Sequence, residues 1–253
     1  MLKVTTIQAD LIWESPIENL KQFSIKLKSI SDTDVIILPE MFTTGFSMDS
    51  ERLAEPMDGI SIEWMTQKAK EFNALICGSL IISENGKYYN RFLAVHPSGR
   101  IDSYDKKHLF RLGGEGDSYE AGNEVVVFEY KGWKIKPMIC YDVRFPVWAR
   151  NVEDYDLLIY IASFPKIRRN AWSTLLRARS IENQVYTIGV NRVGIDGNGY
   201  EYSGDSVILD FNGDYIYEKS EIEDIFTTSL DLNAQQAYRL KFPFLSDRDS
   251  FNL

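Results

Sequence analysis

The sequence predicts an α/β protein, a four-layer α-β-β-α sandwich made of two mixed sheets. Three observations lead there. Short, almost wholly apolar runs such as Asp34–Leu38 and Asp156–Ser163 read as strands covered on both faces, as parallel strands are. Strands alternate with amphipathic helices at the start of each half of the chain, and each half finishes in hairpins. No flexible linker separates the halves, so residues 1–253 read as one domain. A sheet with helices on one face must still bury the other, and two such sheets packed face to face bury both.

Composition fits that size of core. With 253 residues, 44% hydrophobic and 26% charged, the chain buries enough apolar surface to need no disulfide or metal staple. A net charge of −9 argues against sequence-independent nucleic-acid binding, which depends on clustered Lys and Arg. Cys77 and Cys140 are far apart and form no disulfide framework, so a reduced, cytoplasmic setting is expected. Leu157–Ala162 is among the longest apolar runs, well short of a membrane span. The N-terminal Met-Leu-Lys-Val-Thr-Thr-Ile reads as a first strand, not a leader.

The elements then follow in order. Ser15-Pro16-Ile17-Glu18 has the pattern of a capped helix start, with Ser15 as cap and Glu18 closing a capping box. Ile17, Leu20, Phe23, Leu27 and Ile30 fall on one face of that helix. The strand Asp34–Leu38 ends in Pro39-Glu40. Ile62, Met65, Ala69 and Phe72 mark a second helix. Leu75–Ser83, Lys87–His96 and Arg100–Lys106, separated by Asn85-Gly86 and Ser98-Gly99, read as a meander. Residues 109–123 read as a loop. Glu124–Tyr130 and Trp133–Cys140 are strands joined at Lys131-Gly132, followed by a short helix over Pro146–Asn151, the strand Asp156–Ser163 and a helix over Ala171–Asn183. Val185–Val193, Ser206–Phe211, Tyr215–Tyr217 and Phe226–Leu230 complete the strands, and a last helix covers Asn233–Leu240.

Chemistry concentrates at strand ends. Cys140 closes its strand and is followed at once by Tyr141-Asp142-Val143-Arg144, where a thiol can be exposed beside unpaired backbone N–H groups. An unpaired cysteine is otherwise a small core residue. Glu40 also follows a buried strand end and is placed either as a base in the same crevice or as a solvated turn residue. Lys106 and Lys107 close the meander, as an oxyanion-binding ammonium or as a solvated pair on a strand edge. His108 has no Asn or Asp obviously placed to orient it and reads as a buried structural histidine. Cys77 reads as core packing. The Arg177/Arg179/Glu182 group reads as a solvated or pairing helix face. Two histidines and two distant cysteines give no metal-ligand spacing, and the glycines near residue 114 lack the context of a phosphate loop.

Taken together, Pro39-Glu40, then Tyr104-Asp105-Lys106-Lys107-His108-Leu109-Phe110, then Ile139-Cys140-Tyr141-Asp142-Val143-Arg144-Phe145-Pro146 resemble, in order, the three signature blocks of the nitrilase (carbon–nitrogen hydrolase) superfamily. The similarity continues through Arg177–Gln184, Asn191–Gly194 and Gly204–Ser206. Pro39–Ser47 is similar to the bacterial ω-amidase (2-oxoglutaramate amidase) branch. The resemblance implies an α-β-β-α fold and a cofactor-free amidase. Cys140 would be its nucleophile and Glu40 its general base, with Lys106 and the backbone N–H of Tyr141 holding the oxyanion. It selects Lys106 over Lys107, since adjacent strand residues face opposite ways. Glu115 matches a second glutamate found in many relatives. Arg144, four residues past the nucleophile, is placed to clamp a remote carboxylate; the alternative is a brace to Asp142. Phe42 and Phe164 are implied as pocket residues. Ala162-Ser163-Phe164-Pro165 stands where close relatives read Ala-Asn-Trp-Pro. The implied substrates are small dicarboxylate monoamides such as 2-oxoglutaramate and succinamate, and the implied assembly is a homodimer. Another amidase branch, such as an N-carbamoyl-amine or aliphatic amide hydrolase, is the alternative. A non-catalytic binding protein on this fold is disfavoured by the joint presence of Glu40, Lys106 and Cys140.

Overall fold

A computed structural model describes residues 1–251. From the N-terminus, β1 (Leu2–Gln8), α1 (Pro16–Leu27) and β2 (Val35–Ile37) lead through the short α2 (Ser50–Leu53) and α3 (Ile60–Phe72) to the meander β3 (Leu75–Glu84), β4 (Lys87–Val95) and β5 (Ile101–Asp105). After α4 (Glu115–Ser118), the second half runs β6 (Phe128–Tyr130), β7 (Trp133–Ile139), α5 (Pro146–Ala149), β8 (Leu157–Ala162), α6 (Arg169–Asn183) and β9 (Tyr186–Asn191). Then come β10 (Val193–Ile195), β11 (Glu201–Leu209), β12 (Tyr215–Ser220), β13 (Asp224–Leu230) and α7 (Leu232–Lys241).

The strands form two mixed sheets, ordered β13-β1-β2-β3-β4-β5 and β10-β11-β9-β8-β7-β6, with β12 beside β11. In each, three parallel strands lie at the centre: β1, β2 and β3 in the first, β7, β8 and β9 in the second. Antiparallel strands flank them. The strand pleat explains the layers. Val35 and Ile37 point into the core shared with Ile135, Ile139 and Ile159 of the second sheet. Ile36, between them, points the other way, toward Phe23 and Leu27 of α1 and Met65 and Ala69 of α3. Both faces of β2 are therefore apolar, which is why its sequence shows no alternation. Burying a ring such as Phe23 contributes about 2–3 kcal/mol. On the outer face of the second sheet, Gly189 lets α6 approach closely: a Cβ there would lie 2.4 Å from Leu176 Cδ1. These four layers are those of the sequence-based expectation.

Local details differ from it. Ser15 makes no side-chain cap bond, and Ile17 is 46% exposed. The first turn of α1 is anchored instead by buried Asn19, whose side chain bonds Ile12 N, Ile12 O and Thr43 O. The stretch read as a loop over 109–123 holds a 3-10 turn, Arg111–Gly113, and α4. Strand β11 begins at Glu201, five residues before the expected Ser206. Helix α7 docks against the N-terminal ends of the central strands β8 and β9 through Arg239, which donates to Tyr155 O, Gln184 O and Asp156 Oδ1.

Candidate active site

The central parallel strands of both sheets end near one another, and the chemical groups lie just past those ends. Glu40 follows β2, which Leu38 extends by one bond to Cys77 O (2.8 Å). Cys140 follows β7, and Ser163 follows β8. Ser163 N donates to Glu40 Oε2 at 2.7 Å, a direct link between the sheets at the site.

Two residues at these strand ends adopt left-handed backbone. Met41, beside Glu40, has φ 44°, and Cys140 has φ 46°; each costs about 1 kcal/mol or more for a residue with a Cβ. Hydrogen bonds hold both. Met41 N donates to Ser79 Oγ (2.8 Å). The 3-10 turn Cys140–Arg144 is fixed through buried Asp142, which accepts from Ile139 N, Tyr104 OH, His108 N and His108 Nδ1 at 2.8–3.0 Å. Trp148 Nε1 in turn donates to Tyr104 OH (3.0 Å). Arg179, 3% exposed, donates twice to Val143 O, from Nε (3.1 Å) and Nη2 (2.7 Å). Two sequence-based readings are thereby sharpened. Of the two alternatives for Arg179, the pairing one holds and the solvated one does not: bonded to Glu182, it also locks the turn that carries the cysteine. His108 does have an orienting carboxylate in Asp142, and its ring is only partly buried, stacked on Phe145 at 3.6 Å. Sequence spacing carries no sign of the partnership of His108 with Asp142, because 34 residues of chain separate the two.

Beside Cys140 lie the buried ions. Lys106 Nζ sits 2.9 Å from both Glu40 Oε1 and Glu115 Oε1. Asn90 Nδ2, from the middle of β4, bridges the same two oxygens at 2.8 and 3.2 Å, and Phe110 N donates to Glu115 Oε2 at 2.6 Å. Burial opposes the Lys106 ammonium, but Glu115, Glu40 and Cys140 outweigh it and hold its pKa above the ordinary value. It stays charged. Burial raises the Glu115 carboxyl, Lys106 pulls it down and Glu40 pushes it up, with a net upward result. The Cys140 thiol is driven well above its usual value, by burial first and then by Glu40, against the pull of Lys106. Cys140 therefore rests as a thiol that must lose its proton as it reacts, and Glu40 is the adjacent acceptor.

A cavity of about 570 Å³ opens over Cys140, with Tyr141, Arg144, Ser163, Phe164 and Arg168 in its wall. Phe42 is not part of it. That ring is buried under the helices, edge-on to Phe23 at 5.5 Å; Phe46 lines the cavity instead, with Lys106 Nζ 5.1 Å from its ring centre. Arg144 makes no brace to Asp142, whose oxygens are occupied. Its guanidinium lies 5.8 Å from the Phe164 ring centre and is exposed. No motif or spacing in the sequence marks Asn90, the Ser163 N–H, Phe46 or Arg168. The available signal was weak: Asn90 is a polar residue deep in an otherwise apolar strand. Among the described residues, no group of three or more His, Cys, Asp or Glu is arranged to hold a metal ion, and no helix is long and apolar enough to cross a membrane.

The two cysteines should differ sharply in reactivity. Cys77 is fully buried between the sheets, and burial, with the Asp102 charge adding to it, pushes its thiol up. Cys140 borders the cavity and Glu40. Brief treatment of the native protein with iodoacetamide, read by peptide mass spectrometry, should label Cys140 and leave Cys77 unmodified; equal labelling would count against an activated Cys140.

A family model described as carbon-nitrogen hydrolase matches residues 3–240. The omega-amidase YafV of Escherichia coli K12 is 45% identical, covering 100% of this chain and 98% of its own. The 2-oxoglutaramate amidase of Bacillus subtilis is 33% identical over 96% of each. Among solved structures, XC1258 of Xanthomonas campestris, a CN-hydrolase superfamily protein with an arsenic adduct in its active site, superposes with a TM-score of 0.98. It is 41% identical and covers 100% of this chain and 98% of its own.

Proposed function

The chain belongs to the carbon–nitrogen hydrolase family, and on that premise we propose that it is an ω-amidase. It hydrolyses the terminal amide of small dicarboxylic acid monoamides, of the 2-oxoglutaramate and succinamate type, to the acid and ammonia. The observation that carries this reading is a cavity with the thiol of Cys140 set beside the Glu40–Lys106–Glu115 ions and a cationic wall beyond it. The names of the omega-amidase and 2-oxoglutaramate amidase relatives support the substrate class.

In the reaction, Cys140 Sγ attacks the amide carbon while its proton passes to Glu40. The carbonyl oxygen becomes an oxyanion, held by Lys106 Nζ and the N–H of Tyr141. Glu40 returns the proton to the nitrogen as the C–N bond breaks, so ammonia leaves and a thioester remains. Glu40 then takes a proton from water as the water oxygen attacks the thioester. Collapse of that second intermediate releases the carboxylic acid and restores the thiol. Glu115 and Asn90 keep Lys106 and Glu40 in register. Arg144 receives the remote carboxylate. The resemblance further supports a homodimer, and two unpaired cysteines support a reducing, cytoplasmic setting.

Ammonia release from succinamate and from butyramide, in which a methyl group replaces the carboxylate, tests the assignment. The wild type should favour succinamate by about 10- to 100-fold in kcat/KM, the worth of a charge-assisted bond. Arg144→Gln should erase most of that preference. Equal turnover of the two amides by wild type would falsify the carboxylate clamp and favour an aliphatic amidase.

A further inference from the structure

Arg144 accounts for one carboxylate, yet a second guanidinium reaches the same cavity. We infer that Arg168 is a further specificity-determining residue. It binds the oxygen next to the substrate's remote carboxylate and so selects 2-oxo acid amides over plain monoamides and 2-amino acid amides. This rests on the ω-amide reading above.

Arg168 ends the 3-10 turn Lys166–Arg168 that connects β8 to α6, with its N–H bonded to Pro165 O (2.9 Å). Its guanidinium lies 4.8 Å from the Phe110 ring centre and 5.9 Å from that of Phe164, the ring that Arg144 also approaches at 5.8 Å. Phe164 is 4% exposed and fixed by backbone bonds to Asn191, so two cations gather on one immobile ring. The other two cations of this stretch spend their charge elsewhere: Lys166 and Arg169 pair with Glu221 at 3.1 and 3.0 Å. Arg144 and Arg168 form no salt bridge among the described residues.

The acids of the cavity are already committed. Glu14 accepts from Ser47 and pairs with Arg52, which also holds Asp49. Asp196 accepts from Tyr202 OH, Asn198 N and Tyr200 N. The cavity therefore offers two guanidinium forks without counter-ions and no carboxylate to receive an ammonium. One fork matches one carboxylate. The second needs another acceptor close by, and in a 2-oxo acid the carbonyl oxygen adjoins the carboxylate and can share its plane. A protonated 2-amino group in that place meets like charge with nothing to offset it.

The test compares kcat/KM for 2-oxoglutaramate, succinamate and L-glutamine in wild type, Arg168→Gln and Arg168→Lys. Arg168→Gln should lower the value for 2-oxoglutaramate by about 10- to 100-fold, chiefly through KM, and that for succinamate by less than about threefold. Its preference for 2-oxoglutaramate over glutamine should fall in parallel, and Arg168→Lys, which keeps the charge but not the fork, should recover part of the loss. Equal losses on 2-oxoglutaramate and succinamate in both variants, or no loss in either, overturn the role of Arg168 and leave ω-amide hydrolysis standing. A wild type that turns over neither acid overturns the ω-amide reading and this inference with it.

Discussion

Cys140→Ala should lower kcat for 2-oxoglutaramate by roughly 10⁴- to 10⁶-fold while leaving the fold intact. The sulfur makes the bond that splits one hard step into two, and no other nucleophile stands at the end of β7. Lys106 and the Tyr141 N–H would still polarise a bound amide, so a trace of catalysis should persist. Stability should hardly move. Alanine keeps the Cβ, so the left-handed conformation at φ 46° is no more strained than before, and Asp142 and Arg179 still tie down the turn. Ammonia release and a thermal melt of the same sample check both halves. A variant that keeps more than about one part in a hundred of the activity would sink covalent catalysis by this residue.

Lys106→Met should damage activity and stability together, and the second effect should depend on pH. The ammonium is the sole cation bonded to Glu40 Oε1 and Glu115 Oε1 among the described residues. Removing one partner from a buried ionic group costs about 3–5 kcal/mol, and loss of the oxyanion donor costs kcat about 10²- to 10³-fold. In the wild type the Glu115 carboxyl is already raised by burial, with Lys106 opposing the rise. Without Lys106 it goes higher still. A carboxyl whose pKa is raised on folding binds more protons in the folded state, so stability falls as pH increases from the unfolded value through the folded one. The variant should therefore lie close to wild type in urea midpoint at pH 5 and well below it at pH 8. A gap of the same size at both pH values would show that the two carboxylates do not depend on Lys106.

Much of the architecture was legible because burial on two faces leaves a plain trace: Val35-Ile36-Ile37 and Leu157–Ala162 can be little else than strands inside a layered protein. What was not legible depended on contacts between distant residues. Ser15 has the composition of a cap, but Asn19 does the anchoring through Thr43, 24 residues on. Position just beyond a strand made Glu40, Lys106 and Cys140 candidates, yet each alone kept an ordinary reading; the resemblance of their three blocks, in order, to the family signatures is what grouped them. Phe42 and Phe46 show where that logic stops. Past the left-handed Met41 the chain is neither strand nor helix, so no periodicity says which ring turns toward the cavity and which toward α1. Asn90 and Arg168 were hidden for a related reason, since an amide in a strand and an arginine in a basic turn each have an ordinary structural explanation until their neighbours are known.

The link from Ser163 N to Glu40 Oε2 has a mechanical side. Glu40, Asn90, Lys106 and Glu115 are mounted on one half of the chain, Cys140, Ser163 and Arg144 on the other. The enzyme is thus a pair of jaws whose alignment is set by how the two sheets seat on each other, through Val35, Ile37 and Cys77 on one side and Ile135 and Ile159 on the opposing side. A methylene trimmed from that seat shifts the base relative to the nucleophile without touching either. Interior packing, ordinarily a matter of durability, here also calibrates the instrument.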